Sequence, residues 1–326
     1  MDENILDKWY VNNLVCPLDK SELIYKNDSL VCKKNYHKYL VYKNTPIMLV
    51  DEYMSVESNF SKKSLSIIKN NKINETYFGI EDDYVDKHVQ KNVSATNSNF
   101  YKSLVGKLKK YPIPNFPITK NSGLNLLDVG CGWGRWTIAS NNSGFNSVGL
   151  DPSIESILAA KRVSKQLGKN IRFIVGDACY LPFKENTFDN CFSYSVVQHF
   201  SKLEALKTLE EIKYVLKPNG YSQIQMLNKH GLRSAYVRIK HFLFKKKYFD
   251  TTYYSPKELI QMFENKIGKT NIEVASFFTQ AQITEYDLFP FWNKLIFKLS
   301  SYLNNKSQTL DFLKKFADNF YIISKK

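Results

Sequence analysis

The stretch Leu126-Leu-Asp-Val-Gly-Cys-Gly-Trp-Gly134 constrains this chain more than any other. An apolar run ends in three alternating glycines, which then open onto a helical pattern. Glycines at 130, 132 and 134 let the backbone turn tightly and let a ligand approach where a Cβ would block it. Downstream, residues 124–129, 147–150, 171–175, 188–194 and 221–226 read as short apolar strands. Residues 133–140, 154–167 and 203–216, lying between them, read as helices. Strands alternating with helices imply right-handed crossovers, hence a doubly wound α/β domain with a mostly parallel sheet.

Carboxylates recur at the ends of those strands. Asp128 precedes the glycine loop, where it could receive a cationic amino group. The second strand ends Gly149-Leu-Asp151, about 20 residues on, placing an acid to accept ribose hydroxyls. The third ends Val175-Gly-Asp177-Ala178, which offers an acceptor for an adenine amino group and an amide for the ring. Ligands of open α/β sheets bind at these carboxyl ends. A dinucleotide-binding dehydrogenase would normally place a further glycine where Arg135 stands.

Over residues 124–226 the chain resembles the class I S-adenosylmethionine-dependent methyltransferases, with the signature stretches in family order. The resemblance implies a Rossmann-like sheet of seven strands with S-adenosylmethionine as cofactor. It assigns cofactor contacts to Asp128, Gly130, Gly132, Gly134, Asp151, Asp177, Ala178 and Ser195, the last at the end of strand four. His199, in Val197-Gln-His-Phe200, would face the methyl donor and is the candidate general base for a hydroxyl acceptor. The alternative is a histidine that bonds the next helix start or shapes the pocket. His230 and His241, after strand five, are weaker candidates.

The organisation reads as a small β-rich module at 1–52, a helical and linker segment at 53–120, a cofactor-binding core at 121–228 and a C-terminal part at 229–326. Tyr111-Pro-Ile-Pro-Asn-Phe-Pro117 cannot continue a helix, because each proline removes a donor and restricts its predecessor. The N-terminal module is similar to the zinc-ribbon family of methyltransferase activators, through Cys16-Pro-Leu-Asp19, Cys32-Lys-Lys-Asn35 and His37. That family carries two Cys-x-x-Cys knuckles, whereas here each knuckle keeps only its first cysteine. Cys16, Asp19, Cys32 and His37 are the side chains that would ligate zinc. With half the thiolates missing, the expectation is a metal-free ribbon held by packing of Leu14, Leu23, Leu30, Tyr39, Ile47 and Leu49.

The chain of 326 residues carries a formal charge of +15, mostly as dispersed lysines, with one run at Lys245-Lys246-Lys247. Five cysteines and no export signal imply reduced thiols, and the absence of a bilayer-length apolar run implies a soluble, cytoplasmic protein. The expected partner is a small-molecule or saccharide hydroxyl acceptor. A long aromatic insertion (Phe289, Phe291, Trp292, Phe297, Tyr302) suits a lid over it, its alternative being ordinary packing on the sheet. RNA methylation is the competing reading, supported by charge and the ribbon. It is disfavoured because Ser193-Tyr-Ser-Val196 stands where amine-methylating enzymes commonly carry Asn/Asp-Pro-Pro-aromatic. Aromatic-basic interleaving in Phe242-Leu-Phe-Lys-Lys-Lys-Tyr-Phe249 could touch nucleic acid or an anionic membrane. A non-catalytic partner-binding protein on the same fold is the third reading.

Overall fold

The computed structural model describes residues 6–50, 59–70, 72–73, 84–97, 99–118, 123–244, 251–279 and 283–326. The lysine run at 245–247 lies outside them, and the aromatic-basic stretch runs into the same gap.

The apolar runs expected as strands form one sheet. Its members are β5 (Asn125–Val129), β6 (Asn146–Asp151), β7 (Arg172–Val175), β8 (Phe188–Tyr194), β9 (Leu216–Leu227), β10 (Thr270–Ser276) and β11 (Asn319–Lys325), in the order β10-β11-β9-β8-β5-β6-β7. Neighbours from β9 to β7 pair in parallel, while β11 runs antiparallel to both β9 and β10. This is the seven-stranded, mostly parallel α/β sheet expected from the sequence. The order reverses between β5 and β8, and that switch point opens a crevice at the carboxyl ends.

The crossover helices start where capping chemistry allows. Helix α5 (Ile154–Gln166) is capped by Ser153, whose hydroxyl accepts the Ser156 N–H. Helix α6 (Lys202–Val215) carries a full capping box between Ser201 and Glu204, as does α8 (Pro256–Lys266) between Ser255 and Glu258. Helix α4 (Arg135–Asn142) has no side-chain cap and begins instead from Gly134 at φ 85°.

The N-terminal module contains α1 (Lys8–Asn13) and an antiparallel sheet of β1 (Leu23–Lys26), β2 (Ser29–Cys32), β3 (Lys38–Tyr42) and β4 (Thr45–Pro46). It docks along β7. The Tyr10 hydroxyl accepts the Phe173 N–H at 3.1 Å and bonds the Phe173 carbonyl at 3.2 Å. Met48 N–H donates to the Val175 carbonyl at 2.7 Å, and Val15 N–H to that of Pro182 at 3.0 Å. Leu14, Cys16, Leu30 and Tyr39 belong to the same buried cluster as Ile174 and Phe188 of the large sheet and Phe183 of the loop between them. Lys20 reaches Glu211 on α6 at 2.6 Å, and Arg172 pairs with Asp7 at 2.7 Å.

Helices α2 (Asn59–Lys69) and α3 (Lys87–Asn97) cover the α5 side, with Val89 and Val93 buried against α5 residues. The proline-rich stretch is irregular, as expected, but it is packed: Phe116 lies on Trp136, Phe145 and Phe192. The stretch after β9 holds α7 (Leu232–Phe244), and α9 (Phe291–Ser307) and α10 (Asp311–Lys314) follow β10. No described helix is long and apolar enough to cross a membrane.

Candidate functional site at the strand ends

The three acids converge at the carboxyl edge of β5, β6 and β7. Asp128 is buried, and its Oδ2 accepts the Thr137 hydroxyl at 2.6 Å. The loop then folds over the end of β6: the Gly130 and Cys131 amides both donate to the Leu150 carbonyl, at 2.8 and 3.0 Å. Gly132, at φ 53°, donates its amide to Asp151 Oδ2 at 2.9 Å, and Ser153 N–H donates to the other oxygen at 2.9 Å. Asp177 Oδ1 accepts the Cys179 N–H at 2.8 Å, with Ala178 buried beside it.

Burial pushes Asp128 up to about 7, against the Thr137 hydrogen bond, and Asp151 up to about 6, against the Ser153 and Gly132 amides. Asp177 is raised for the same reason, its burial opposed by the Cys179 amide. Buried acids with raised pKa values at the strand ends are candidates for ligand contact. A cationic ligand would recover much of that cost.

All three glycines have positive φ, as a tight turn requires, and two of them also meet the rest of the protein closely. A Cβ on Gly130 would lie 2.3 Å from Val196 Cγ2, and one on Gly134 would lie 3.1 Å from Ala160 and Phe173. Both positions are therefore needed for packing of the protein on itself, and both have positive φ. Only Gly132 presents its amide to the Asp151 carboxylate.

The turn after β8 carries the remaining candidates. Ser195 sits at φ 62°, and its hydroxyl accepts a hydrogen bond from Gln198 at 2.8 Å. His199 ends a short 3-10 turn, Val197–His199, and is half-buried, with its N–H on the Val196 carbonyl at 2.9 Å. Because Val196 packs on Gly130, that turn is seated against the glycine loop. His230 follows β9 and lies apart in the turn before α7, its N–H on Asn228 Oδ1 at 3.0 Å. The side chain of His241 is outside the described residues.

One feature escaped the sequence reading. Arg135 is buried and gives its Nε–H to the Pro112 carbonyl at 2.9 Å. Its Nη2 reaches the Tyr101 hydroxyl at 3.1 Å and Glu285 Oε1 at 2.6 Å. Burial works against the Arg135 charge, but Glu285 more than offsets it and the pKa is raised. The pair ties the segment before β5 and the insertion after β10 to the first turn of α4. The only sequence signal was an arginine standing where a dehydrogenase would have glycine.

The ribbon residues also come together. The ligand atoms of Cys16, Asp19, Cys32 and His37 all lie within 4.8 Å of one another. Cys16 Sγ is 3.6 Å from His37 Nδ1, and Cys32 Sγ is 3.7 Å from both Asp19 oxygens. Zinc–sulfur and zinc–nitrogen bonds of about 2.3 and 2.0 Å give tetrahedral edges of roughly 3.5 Å. The Asn35 amide additionally donates to Cys32 Sγ at 3.5 Å, which would stabilise a thiolate. The residues present therefore fit zinc in number, type and spacing. These are the four side chains named from the sequence as the ones that would ligate zinc, although the two missing thiolates made a metal-free ribbon the expectation.

Residues 126–220 match the family model described as a methyltransferase domain. This segment, less than a third of the chain, carries a methyltransferase domain. The chain is similar to a sterol 24-C-methyltransferase from Pneumocystis carinii, 40% identical over 114 residues, covering 33% of this chain and 30% of that one. It is also similar to a demethylmenaquinone methyltransferase from Staphylococcus saprophyticus, 36% identical over 105 residues, covering 30% and 42%. The chain thus spans less than half the length of either curated relative. Among solved structures, an S-adenosylmethionine-dependent methyltransferase from Methanosarcina mazei is 17% identical with a TM-score of 0.47, covering 66% of this chain and 99% of that one.

Proposed function

We propose that the whole chain moves a methyl group from S-adenosylmethionine to a hydroxyl of a small-molecule or saccharide acceptor. When bound, the cofactor supplies an electrophilic methyl on its sulfonium. Asp128 would hold its amino group, Asp151 its ribose hydroxyls, and Asp177 with the Ala178 amide its adenine. Gly130, Gly132 and Gly134 would shape the loop around the methionine portion, and Ser195 would border it. In-line transfer needs the acceptor oxygen positioned and its proton removed. Neutral His199 would take that proton at a ring nitrogen.

The observation that carries this reading is the seating of the His199 turn. Val196 fills the space beside Gly130, so the only histidine of that turn sits next to the loop proposed to hold the methyl donor. The two curated relatives act, by their names, on a sterol and a menaquinone precursor, which supports a small-molecule acceptor.

The test is incubation with methyl-labelled donor and a fractionated cell extract. Label should enter a small-molecule, lipid or saccharide fraction, and His199→Ala should reduce it at least about 100-fold while cofactor affinity stays near wild type. Selective labelling of an RNA fraction would overturn the acceptor assignment. Full activity in His199→Ala would remove the base.

A further inference from the structure

Helix α9 has two faces that differ in cover. Phe297 and Ser300 point inward: Phe297 packs on Phe100 and Phe289 at ring distances of 5.3 and 5.2 Å, and the Ser300 hydroxyl bonds the Phe277 carbonyl. The opposite face is apolar and bare. Phe291 and Trp292 are 66% and 76% exposed, and Leu295, Leu299 and Tyr302 are about half exposed. Spacings of four, four and three residues from Phe291 through Leu295 and Leu299 to Tyr302 place these side chains on one stripe. Lys294 and Lys298 border that stripe, and Lys306 stands at its C-terminal end. Helix α10 packs on α9, and it and its flanking residues expose Leu310, Phe312 and Phe316, beside Lys315 and the Lys314–Asp311 pair.

We propose that this face docks the protein on an anionic lipid surface. A contiguous apolar patch rimmed by lysine marks an interaction site. A helix lying in the plane of a bilayer carries aromatic and leucine side chains on one face and lysines at its borders. Exposed Trp292 and Tyr302 have the amphipathic rings that settle at headgroup depth. Charge selects among occupants. Two copies meeting through this face would juxtapose the same lysines on molecules that each carry +15, whereas an anionic leaflet neutralises them. None of the side chains on this face is among those assigned to the strand-end site, so the inference stands whether or not the acceptor is itself a lipid.

The test uses the full chain and vesicles of phosphatidylcholine alone or with about 30% phosphatidylserine, near the anionic content at which surface potential becomes appreciable. Co-sedimentation should occur with the anionic vesicles, with a blue shift in tryptophan emission that Trp292→Phe abolishes. Leu295→Glu/Leu299→Glu should weaken binding at least about tenfold, and Lys294→Glu/Lys298→Glu should weaken it and flatten its salt dependence. Circular dichroism of the variants separates lost docking from lost folding. Equal binding by wild type and variants, or none by wild type, would overturn the proposal. A concentration-dependent dimer that Leu295→Glu/Leu299→Glu dissolves would assign the face to a second copy instead.

Discussion

The N-terminal module and the C-terminal helical layer are both attached to the methyltransferase sheet, and they use their apolar side chains in opposite ways. The module turns Leu14, Leu30 and Tyr39 into the cluster that includes β7 and β8, and it adds backbone hydrogen bonds to Val175 and Pro182. The C-terminal layer is held by Phe289, Phe297 and the Arg135–Glu285 pair, while the outer face of α9 stays in solvent. One appendage reads as a structural extension of the core. The other is fastened at a few points and offers a free surface.

The largest effect is expected in the module. If the four-ligand cluster holds zinc, elemental analysis should return about one zinc per chain, lost in Cys32→Ser. Chelation should then remove part of the roughly 10–16 kcal/mol that such sites supply in isolated fingers, seen as a large fall in Tm. A metal-free protein whose Tm is indifferent to added zinc would mean that packing alone holds the ribbon. It would also weaken the contrast between the two appendages.

Next comes the latch. Arg135→Met should destabilise the protein by about 3–5 kcal/mol, because it leaves the buried Glu285 carboxylate without its guanidinium partner. Arg135→Met/Glu285→Leu should recover most of that loss. Chemical denaturation of the single and double variants checks both. A single variant as stable as wild type would show that the layer does not depend on the pair.

The strand-end acids proposed to hold the cofactor give an effect of intermediate size. Asp151→Ala should cost about 2 kcal/mol of S-adenosylmethionine binding, tens-fold in affinity. Asp128 and Asp151 hold protons more tightly when folded, at about 7 and 6, than the ordinary Asp value of about 3.9 allows when unfolded. Their contribution to stability is thus complete below about 4 and is lost as pH rises through 6 and 7. A cationic cofactor selects the ionised acids, so its affinity should rise over the same interval. Calorimetry between pH 5 and 8 showing constant affinity would remove both residues from the binding site.

The smallest effect sharpens the comparison from the other side. Trp292→Ala should change stability by no more than about 0.5 kcal/mol, as expected of an exposed position. Leu14→Ala should cost about 2–5 kcal/mol. Similar losses in the two variants would mean that the α9 face is covered.

What could be read in advance follows the range of the interactions. Strands, glycine loop and acids depend on apolar runs and turn residues close together in the chain, and the expected and observed elements differ there by a residue or two. Strand β9 is longer than expected because Lys217 to Gly220 disturbs the register at its start without ending it. Within the segment at 53–120 read as helical and linker, Asn99–Leu104 is a 3-10 turn rather than an α-helix. The lid aromatics split, with Phe289 and Phe297 buried and Phe291, Trp292 and Tyr302 exposed. A helical stripe shows that a helix has two faces but does not say which one is covered. Arg135 and Glu285 are 150 positions apart, and no local pattern couples them. The four residues of the ribbon cluster were all named from the sequence, but only the fold shows that their ligand atoms lie within 4.8 Å of one another.

The Tyr10 hydroxyl answers both the amide and the carbonyl of Phe173, on a strand that pairs with only one neighbour in its own sheet. With the first fifty residues removed, β7 would present bare backbone groups flanked by Phe173, Ile174 and Val175. Strands of that kind recruit one another between molecules. A fragment trimmed to the matched domain would consequently be an aggregation hazard during expression, however complete its cofactor loop. The module thus covers a strand edge that would otherwise be open to another molecule.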